Sequence, residues 1–363
     1  MLHFSKWTRK PYATFCSIGR VIKICVLVDT LTVIASQAKC ESLIDSVQTT
    51  ASIDIDEVVV ASDRAQVTFS QLVIPIAIST SDDLAAAPQQ NIIDALEYIP
   101  SVDIRQRGLL GVQADLSIRG GTADQNAIIL NKINITDPQS GHNNFTLPVD
   151  IDYASRVEII EGQTGRATGI NALSGAVCFF TPTDSANNIR ANLMYGDFGL
   201  YKLSASATLN TRNLNNFAAA AVSHSDGYTH NTDFDMRNLF YRGVLFVGKS
   251  SINAQMGYAD KSFGSNGFYS LSYPDQYEEN TSIIASIGID INVGVKISAN
   301  VYWRRMTDYY VMVRDNPIFY QNHHLTDVLG ANAQAQLTTK LGTTSVGLES
   351  RTEKIKSNRL GNA

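Results

Sequence analysis

The chain has 363 residues, a formal net charge of −5 and a charged fraction of only 17%. The low charged fraction argues against a disordered chain, and the acidic balance gives no reason to expect a nucleic-acid partner. A mean hydropathy of −0.06 argues against a bundle of membrane-spanning helices, each of which needs about 20 apolar residues. A soluble all-β protein and an outer-membrane β-barrel remain as alternatives.

Residues 1–38 have the composition of a secretory signal peptide. Four basic residues precede an apolar stretch from Val21 to Ala38, which ends in small side chains. A wrong start codon or an ordinary buried helix is the alternative. Cleavage after Ala38 would leave only Cys40 and Cys178, which are too far apart in sequence to indicate a disulfide framework.

The pattern of residues 51–180 predicts a compact α+β domain of short strands and two small helices. The first helix begins at Thr80 or Ser81 and ends at Pro88, and the second spans Asn91 to Ile99. Glycines mark the turns between the strands. The predicted strands are Ile74–Thr80, Val102–Arg105, Ala114–Arg119, Ala127–Asn131, Ile133–Ile135, Arg156–Glu161 and Gly175–Thr181.

This domain has no recognisable catalytic set. The zinc-protease pattern HExxH, the serine elbow GxSxG and the phosphate-binding P-loop are all missing from its sequence. No cysteine or carboxylate stands at metal-ligand spacing from His142, its one histidine. We therefore expect neither an enzyme nor a resident metal in this part of the chain.

Residues 184–363 alternate between apolar and polar side chains with a period of two. Tyr201 to Asn210 alternates strictly over ten positions, and the same pattern recurs over 283–292, 293–304 and 331–338. Such a period places each set on one face of a strand. Runs of about ten residues match membrane-spanning strands, whereas a soluble β-sandwich would favour larger apolar residues than these alanines.

The connections and the aromatic residues of this region support a barrel. Short connections at 210–216 and 291–294 alternate with long polar ones at 223–238, 261–280 and 308–327. In outer-membrane barrels short turns face the periplasm and long loops face the exterior. The aromatic residues near the predicted strand ends suggest an interfacial girdle: Tyr195, Phe198, Tyr201, Tyr258, Tyr302, Trp303, Tyr309 and Tyr310.

Six short motifs between residues 54 and 181 stand in an order that resembles the plug domain of TonB-dependent outer-membrane receptors. They read DEVVV, DALEYIPSVDI, LSIRGG, AIILNKINI, SRVEIIEG and NALSGAVCFFT. The resemblance implies a plug domain followed by antiparallel transmembrane β-barrel strands. It divides the chain into a signal peptide (1–38), a periplasmic segment (39–60), a plug (61–183) and a partial outer-membrane β-barrel (184–363).

The resemblance also implies the partners. The segment Asp56, Glu57, Val58, Val59 and Val60 is similar to the TonB box, which pairs with TonB of the energy-transducing TonB–ExbB–ExbD complex. The remaining partners would be outer-membrane lipid and a small-molecule ligand. From the residues alone, 56–60 could equally be the first strand of the domain.

The resemblance further implies positions for a ligand. The string TDPQSGHNN is similar to the cobalamin-receptor branch as found in Bacteroidota, which makes cobalamin or another corrinoid the expected solute and a ferric siderophore the alternative. Arg119 matches a plug arginine that barrel carboxylates hold in this family, although a solvated strand-end arginine is the simpler interpretation. The expected ligand-binding residues are Gln139, Ser140, Gly141, His142, Asn143 and Asn144.

A loop with three carboxylates is a candidate calcium site. Asp226, Asp233 and Asp235 could bind Ca²⁺, although solvated loop acids are the alternative because their spacing fits no defined loop. No other cofactor is expected.

The chain length limits the number of barrel strands. About ten residues per strand plus connections gives eight to ten strands after residue 184, whereas plugged transporter barrels have about 22. We therefore expect the front part of a receptor, and we do not expect this chain to transport alone. A non-functional receptor fragment and a surface interaction protein are the alternatives.

Overall fold

A computed structural model describes residues 76–86, 89–162, 169–183, 186–359 and 361–362. The predicted signal peptide and the predicted TonB box at Asp56–Val60 lie outside the described residues. The described part contains a domain of short elements and a sheet of long strands. None of its helices combines the length and the apolar character that crossing a membrane would require.

The first domain has the α+β architecture that its sequence predicts. Strands β1, β6, β7, β4 and β5 form one sheet in that order, in which β7 and β4 run parallel and the other neighbours antiparallel. Strands β2 and β3 form a separate hairpin. The elements are β1 (Ile76–Thr80), α1 (Ser81–Ala86), α2 (Ile92–Glu97), β2 (Val102–Arg107), β3 (Gln113–Ile118), β4 (Asn126–Leu130), β5 (Ile133–Asn134), β6 (Arg156–Glu161) and β7 (Gly175–Phe180).

Helix α2 forms because its first turn is capped and one face is apolar. The side-chain oxygen of Asn91 accepts hydrogen bonds from the backbone N–H groups of Ile93 and Asp94, at 2.8 and 3.1 Å. Ile93 and Leu96 are buried in the domain core. The predicted extent to Ile99 is too long, because the turn before Pro100 is already non-helical.

The rest of the chain forms one antiparallel sheet, in which each strand pairs with its neighbour in sequence. Within the described residues it has ten strands, as many as the length predicts, and it is open, with β8 and β17 at its edges. The strands are β8 (Asn188–Tyr195), β9 (Tyr201–Asn210), β10 (Leu214–Ser225), β11 (Phe234–Val247), β12 (Ser250–Gly264), β13 (Tyr277–Asn292), β14 (Lys296–Val311), β15 (Gln321–Thr339), β16 (Gly342–Ser357) and β17 (Gly361–Asn362).

The large sheet turns its apolar face outward. On β9, Leu203 and Leu209 are 48% and 54% exposed, whereas Lys202 and Ser204 between and beside them are 6% and 1% exposed. A soluble β-sandwich would bury the leucines and expose the lysine. The interpretation as a sandwich is therefore wrong, and the alternation is that of a barrel wall with a polar interior.

The connections alternate in length along the sheet. Strands meet at short turns over 211–213, 248–249, 293–295 and 340–341, and at longer loops over 196–200, 226–233, 265–276 and 312–320. These positions define a short-turn end and a long-loop end. The loops are shorter than the sequence predicts because the strands continue past their apolar stretches, so that β10 reaches Ser225 and β11 starts at Phe234.

The prediction that Tyr302 belongs to an interfacial girdle is wrong. This residue faces the interior and is buried, because its ring occupies the space above Gly330 on β15. A Cβ atom at position 330 would lie 2.1 Å from Cζ of Tyr302. Tyr195 and Tyr258 do lie on the outward face.

The α+β domain packs against the inward face of the large sheet. Tyr153 of the domain lies 6.2 Å from Phe217 of β10, measured between ring centroids. Gly257 of β12 marks a second close approach, because a Cβ atom there would lie 2.6 Å from the ring of Pro148. The absence of a side chain at Gly257 therefore lets a loop of the domain reach the wall.

We expect Leu96→Ala to lower the free energy of unfolding of the α+β domain by about 2–5 kcal/mol, because it removes a fully buried side chain and leaves a cavity. The thiol of Cys178 is buried in β7, so its rate of alkylation in increasing urea, located by peptide mass spectrometry, reports opening of the domain. The exposed neighbour Glu97→Ala is the control, with an expected change within about 0.5 kcal/mol. Equal labelling of Cys178 in both variants would contradict the placement of α2 in the core.

Candidate ligand site at the long-loop end

The segment from Asp137 to Asn144 lies between the α+β domain and the barrel wall. The Asp137 carboxylate lies 3.6 Å from the guanidinium of Arg304 on β14, and both side chains are buried. Thr326 of β15 donates a hydrogen bond of 3.2 Å to the side-chain oxygen of Gln139. A movement of this segment would therefore break contacts with two barrel strands.

The six predicted ligand-binding residues divide into two groups. Gly141–Asn143 form a single 3₁₀ turn, in which the Ser140 hydroxyl accepts a hydrogen bond from the N–H of His142. Asn144 is buried, and its side-chain oxygen accepts a 2.9 Å hydrogen bond from the N–H of Asp137, which closes the loop. Gly141, Asn143 and Asn144 are buried and form the first group, whereas Gln139, Ser140 and His142 are only partly buried and form the second. Ligand contact by any of the six stays a prediction.

His142 forms a charged group with two residues of the β2–β3 hairpin. Its Nδ1 contacts a carboxylate oxygen of Asp115, whose other oxygen lies 3.2 Å from Arg107. The hydrogen bond to Asp115 raises the pKa of His142 above its ordinary value, although burial opposes it. Burial favours a higher pKa for Asp115, but His142 and the charge of Arg107 outweigh it, and the net shift is downward.

Three tyrosines from the barrel form a chain of ring contacts that begins at this charged group. Tyr269 lies in the 265–276 loop, Tyr310 at the end of β14 and Tyr320 in the 312–320 loop. The Tyr269 and Tyr310 rings meet edge to face at 5.5 Å between centroids, and Tyr310 lies 6.4 Å from Tyr320. We refer to Arg107, His142, Tyr269, Tyr310 and Tyr320 as the apical cluster.

Contacts across the apical cluster join the domain to the loops. Arg107 stacks over the Tyr269 ring with its guanidinium carbon 5.6 Å from the centroid, and His142 lies 6.3 Å from the same ring. The Gln113 amide donates a 2.6 Å hydrogen bond to the Tyr269 hydroxyl. Aromatic edges, phenol hydroxyls and a guanidinium therefore meet at one place, suited to a planar ligand with acceptor groups.

The predicted calcium carboxylates are engaged elsewhere. Arg314 binds Asp233 through both guanidinium nitrogens, at 2.7 and 2.9 Å. His224 bridges the other two, with its ring nitrogens 3.3 Å from Asp226 and 3.0 Å from Asp235. Throughout the part of the chain that the structure describes, no group of three or more His, Cys, Asp or Glu side chains is placed to hold a metal ion. The arrangement thus gives the calcium prediction no support.

Arg119 has a partner within its own domain. Its Nη2 lies 2.6 Å from a carboxylate oxygen of Glu161 on β6, and its side chain is 53% exposed. The residue adopts a positive φ of 50°, at the end of β3. The contact with Glu161 takes the place of the expected contact with a barrel carboxylate, and a latch function stays a prediction.

Comparison with known proteins agrees with this arrangement. Residues 70–176 match the family described as TonB-dependent Receptor Plug Domain. A curated relative, the vitamin B12 transporter BtuB of Vibrio vulnificus (strain CMCP6), is 24% identical over 132 residues, which are 36% of this chain and 22% of that protein. The α+β domain of this chain therefore matches the plug domain of TonB-dependent receptors, and we refer to it as the plug.

Solved structures show the same fold over more of the chain. The copper transporter OprC superposes with a TM-score of 0.65 and 15% identity, covering 78% of this chain and 46% of that one. The ferric citrate transporter FecA, without ligand, superposes with a TM-score of 0.64 and 12% identity, covering 79% and 48%. The chain thus spans about half the length of these structures and a smaller part of its curated relative.

We expect His142 to titrate above the ordinary histidine value of about 6.5 because of Asp115. Because the folded pKa of His142 is raised, the stabilisation from this pair is complete below pH ~6.5 while Asp115 is ionised; it is lost as the pH rises through the raised pKa of His142 and as the pH falls through the lowered pKa of Asp115. A histidine NMR titration of the full chain measures this pKa, which should fall in Asp115→Asn and be partly retained in Asp115→Glu. An unchanged titration in Asp115→Asn would contradict the pairing.

Proposed function

We propose that the chain is part of an outer-membrane receptor that binds a scarce solute at its long-loop end and takes it up with energy from a partner complex. The observation that carries this proposal is the orientation of the large sheet. Its apolar face is exposed, and its inward face packs against the plug. An apolar exterior requires lipid around it, and a plugged polar interior requires a device that moves the plug. We propose receptor function rather than catalysis.

The proposed location is the outer membrane, with the long loops outside the cell. Outer-membrane barrels place their longer loops on the extracellular side and their short turns in the periplasm. The apical cluster would then face the exterior, where a solute arrives. The short-turn end would face the periplasm, where the solute is released.

The proposed energy source is the TonB–ExbB–ExbD complex. The resemblance of Asp56, Glu57, Val58, Val59 and Val60 to a TonB box supports this partner, together with the family of the plug. An extended segment rich in β-branched residues can add itself to the edge of a partner's sheet through backbone hydrogen bonds. Pulling on it would transmit force to the plug.

Two solutes remain as candidates. Cobalamin is supported by the motif around His142 and by the relatives that transport vitamin B12. A ferric siderophore is supported by the apical cluster, because three tyrosine rings and Arg107 suit an anionic chelate with planar groups. Both would contact the same surface, which makes a direct comparison of binding possible.

We expect Tyr269→Ala to weaken solute binding at least tenfold, since it removes the ring that Arg107, His142 and Tyr310 all contact. Binding of cyanocobalamin and of a ferric catecholate to the purified chain, each measured by fluorescence quenching, identifies the solute. Tyr228→Ala is the matched control, because Tyr228 is an exposed tyrosine of the 226–233 loop outside the cluster. Equal affinities of both variants would contradict the site, and binding of neither solute by the unchanged chain would favour a receptor fragment without function.

We expect Val59→Pro to reduce binding of the TonB periplasmic domain at least tenfold, because proline lacks the N–H that a paired strand donates. A pull-down or surface-binding assay with the full chain measures this, and Val59→Ile, which keeps the donor and the β-branched shape, is the control. Unchanged binding in Val59→Pro would exclude 56–60 as the pairing strand. Adhesion by a surface interaction protein would be insensitive to either change.

A further inference from the structure

The outward face of β14, β15 and β16 changes from apolar to charged at one level. On β15, Leu329 is 57% exposed, and the next outward residue towards the long-loop end is Asp327. The strand register makes Asp327 the partner of Arg305 on β14 and of Lys354 on β16, and register partners share a face of the sheet. Lys356 lies two residues beyond Lys354, on the same face. We refer to Arg305, Lys354 and Lys356 as the basic patch.

Asp327 does not neutralise the basic patch. Arg305 binds both carboxylate oxygens of Asp327, at 2.8 and 2.9 Å, so this acid is already paired. Lys354 and Lys356 are exposed, and among the residues that the structure describes neither has an ion-pair partner. The patch therefore keeps the positive charges of both lysines.

An apolar groove of about 650 Å³ lies on the same face, towards the short-turn end. Side chains of β13 and β16 form its raised sides, since Ile287 is 58% exposed and Leu348 is 78% exposed. The alanines between these strands are short and leave the space open. The lining residues include Ile287, Ile289, Ala299, Val301, Ala333 and Leu348. Such a surface is suited to a hydrocarbon chain.

The groove and the basic patch lie one above the other on the same strands. Val301 and Ala331 are register partners at the groove, and Arg305 and Asp327 are register partners at the patch. The two levels are therefore about 13 Å apart along each strand, at 3.3 Å per residue. An acyl chain that lies in the groove can extend directly to a headgroup at the patch.

Trp303 lies on the outward face between the groove and the patch. Its indole N–H donates a 3.3 Å hydrogen bond to Asp327, and the guanidinium carbon of Arg305 lies 5.4 Å from the centre of its ring. A tryptophan with an apolar ring and a bonded N–H is typical of the boundary between acyl chains and headgroups. The patch is thus at the level of headgroups, and the groove is at the level of acyl chains.

The charge of the patch distinguishes among the possible occupants of the groove. A zwitterionic lipid or an apolar protein surface could cover the groove, but neither would neutralise Lys354 and Lys356. A phosphate headgroup would, because basic side chains at a membrane surface attract anionic lipids. Near the same level on β12 and β13 the outward residues Asp260 and Glu279 would repel a phosphate, so the attraction is confined to β14–β16.

We propose that the outward face of β13–β16 binds one lipid with a phosphate headgroup, whose acyl chain occupies the groove and whose phosphate contacts the basic patch. Since the patch lies on the side of the long loops, this lipid would belong to the extracellular leaflet. Its binding presupposes the proposed location in a membrane, but it requires neither the solute nor TonB.

Quenching of Trp303 fluorescence by brominated lipids tests this site directly. The chain has two tryptophans, Trp7 and Trp303, so Trp7→Phe leaves Trp303 as the only indole. The purified full chain with this change is titrated in an uncharged detergent with phosphatidic acid or with phosphatidylcholine, both carrying dibrominated acyl chains. We expect phosphatidic acid to bind at least tenfold more tightly, because the lysines attract its phosphate.

Two pairs of variants separate the headgroup from the acyl chain. Lys354→Gln combined with Lys356→Gln should abolish the preference for phosphatidic acid, whereas Lys340→Gln should keep it, because Lys340 is an exposed lysine of the short turn between the same two strands. Ala333→Phe should weaken quenching by both lipids because it fills the groove. Ala335→Phe is its control, at an exposed position beside the groove.

Three outcomes would overturn the proposal. Equal affinity for the two lipids would mean that the face holds unselected membrane lipid. Displacement of the brominated phosphatidic acid by inorganic phosphate would mean that the patch binds free phosphate rather than a lipid. Absence of quenching by either lipid would mean that another protein surface, such as a second copy of the chain, covers the face.

Two further measurements keep the result separate from folding and from the proposed function. Protection of the buried Cys178 from alkylation shows that each variant has kept its plug folded. A preference for phosphatidic acid in a chain that binds neither cyanocobalamin nor a ferric catecholate would support the lipid site and contradict the proposed receptor function.

Discussion

The side-chain alternation of the barrel strands is the constraint on which the rest of the structure depends. Because the apolar set faces outward, the interior receives serine, asparagine, lysine and arginine. The plug supplies partners to charged groups buried on this wall, such as Lys202 and Arg304. Inward apolar residues of the sheet pack with the plug core as in an ordinary protein interior; they include Phe217, Phe240, Ile284 and Val328.

The segment Asp137–Asn144 connects the features that matter for function. Its base is tied to β14 and β15 through Asp137 and Gln139, and His142 at its tip meets Asp115 and the apical cluster. A ligand that displaces His142 or Tyr269 would therefore act on the same segment that holds the plug against β14 and β15. Ligand binding at the long-loop end and attachment of the plug to the barrel wall therefore depend on the same segment, Asp137–Asn144.

Much of the fold could be predicted because its signals are local. Neighbouring residues specify the short strands of the plug, its Asn91-capped helix and the period of two in the barrel. The candidate site could be predicted only in part. His142 was found through a motif, but Tyr269 meets Gln113 across 156 residues, through a register that no local pattern encodes. Tyr302 is a different case, because the local alternation already places it in the polar, inward set, and only its aromatic character suggested a girdle position.

The contact between Gly257 and Pro148 shows how closely the plug and its wall are matched. A glycine on the inner surface forms a notch, and a proline ring from the plug enters it. A larger side chain at one of these positions requires a smaller one at the other, so the two positions are expected to change together among related receptors. A plug exchanged between receptors would then seat fully only in a barrel whose wall carries the complementary notch.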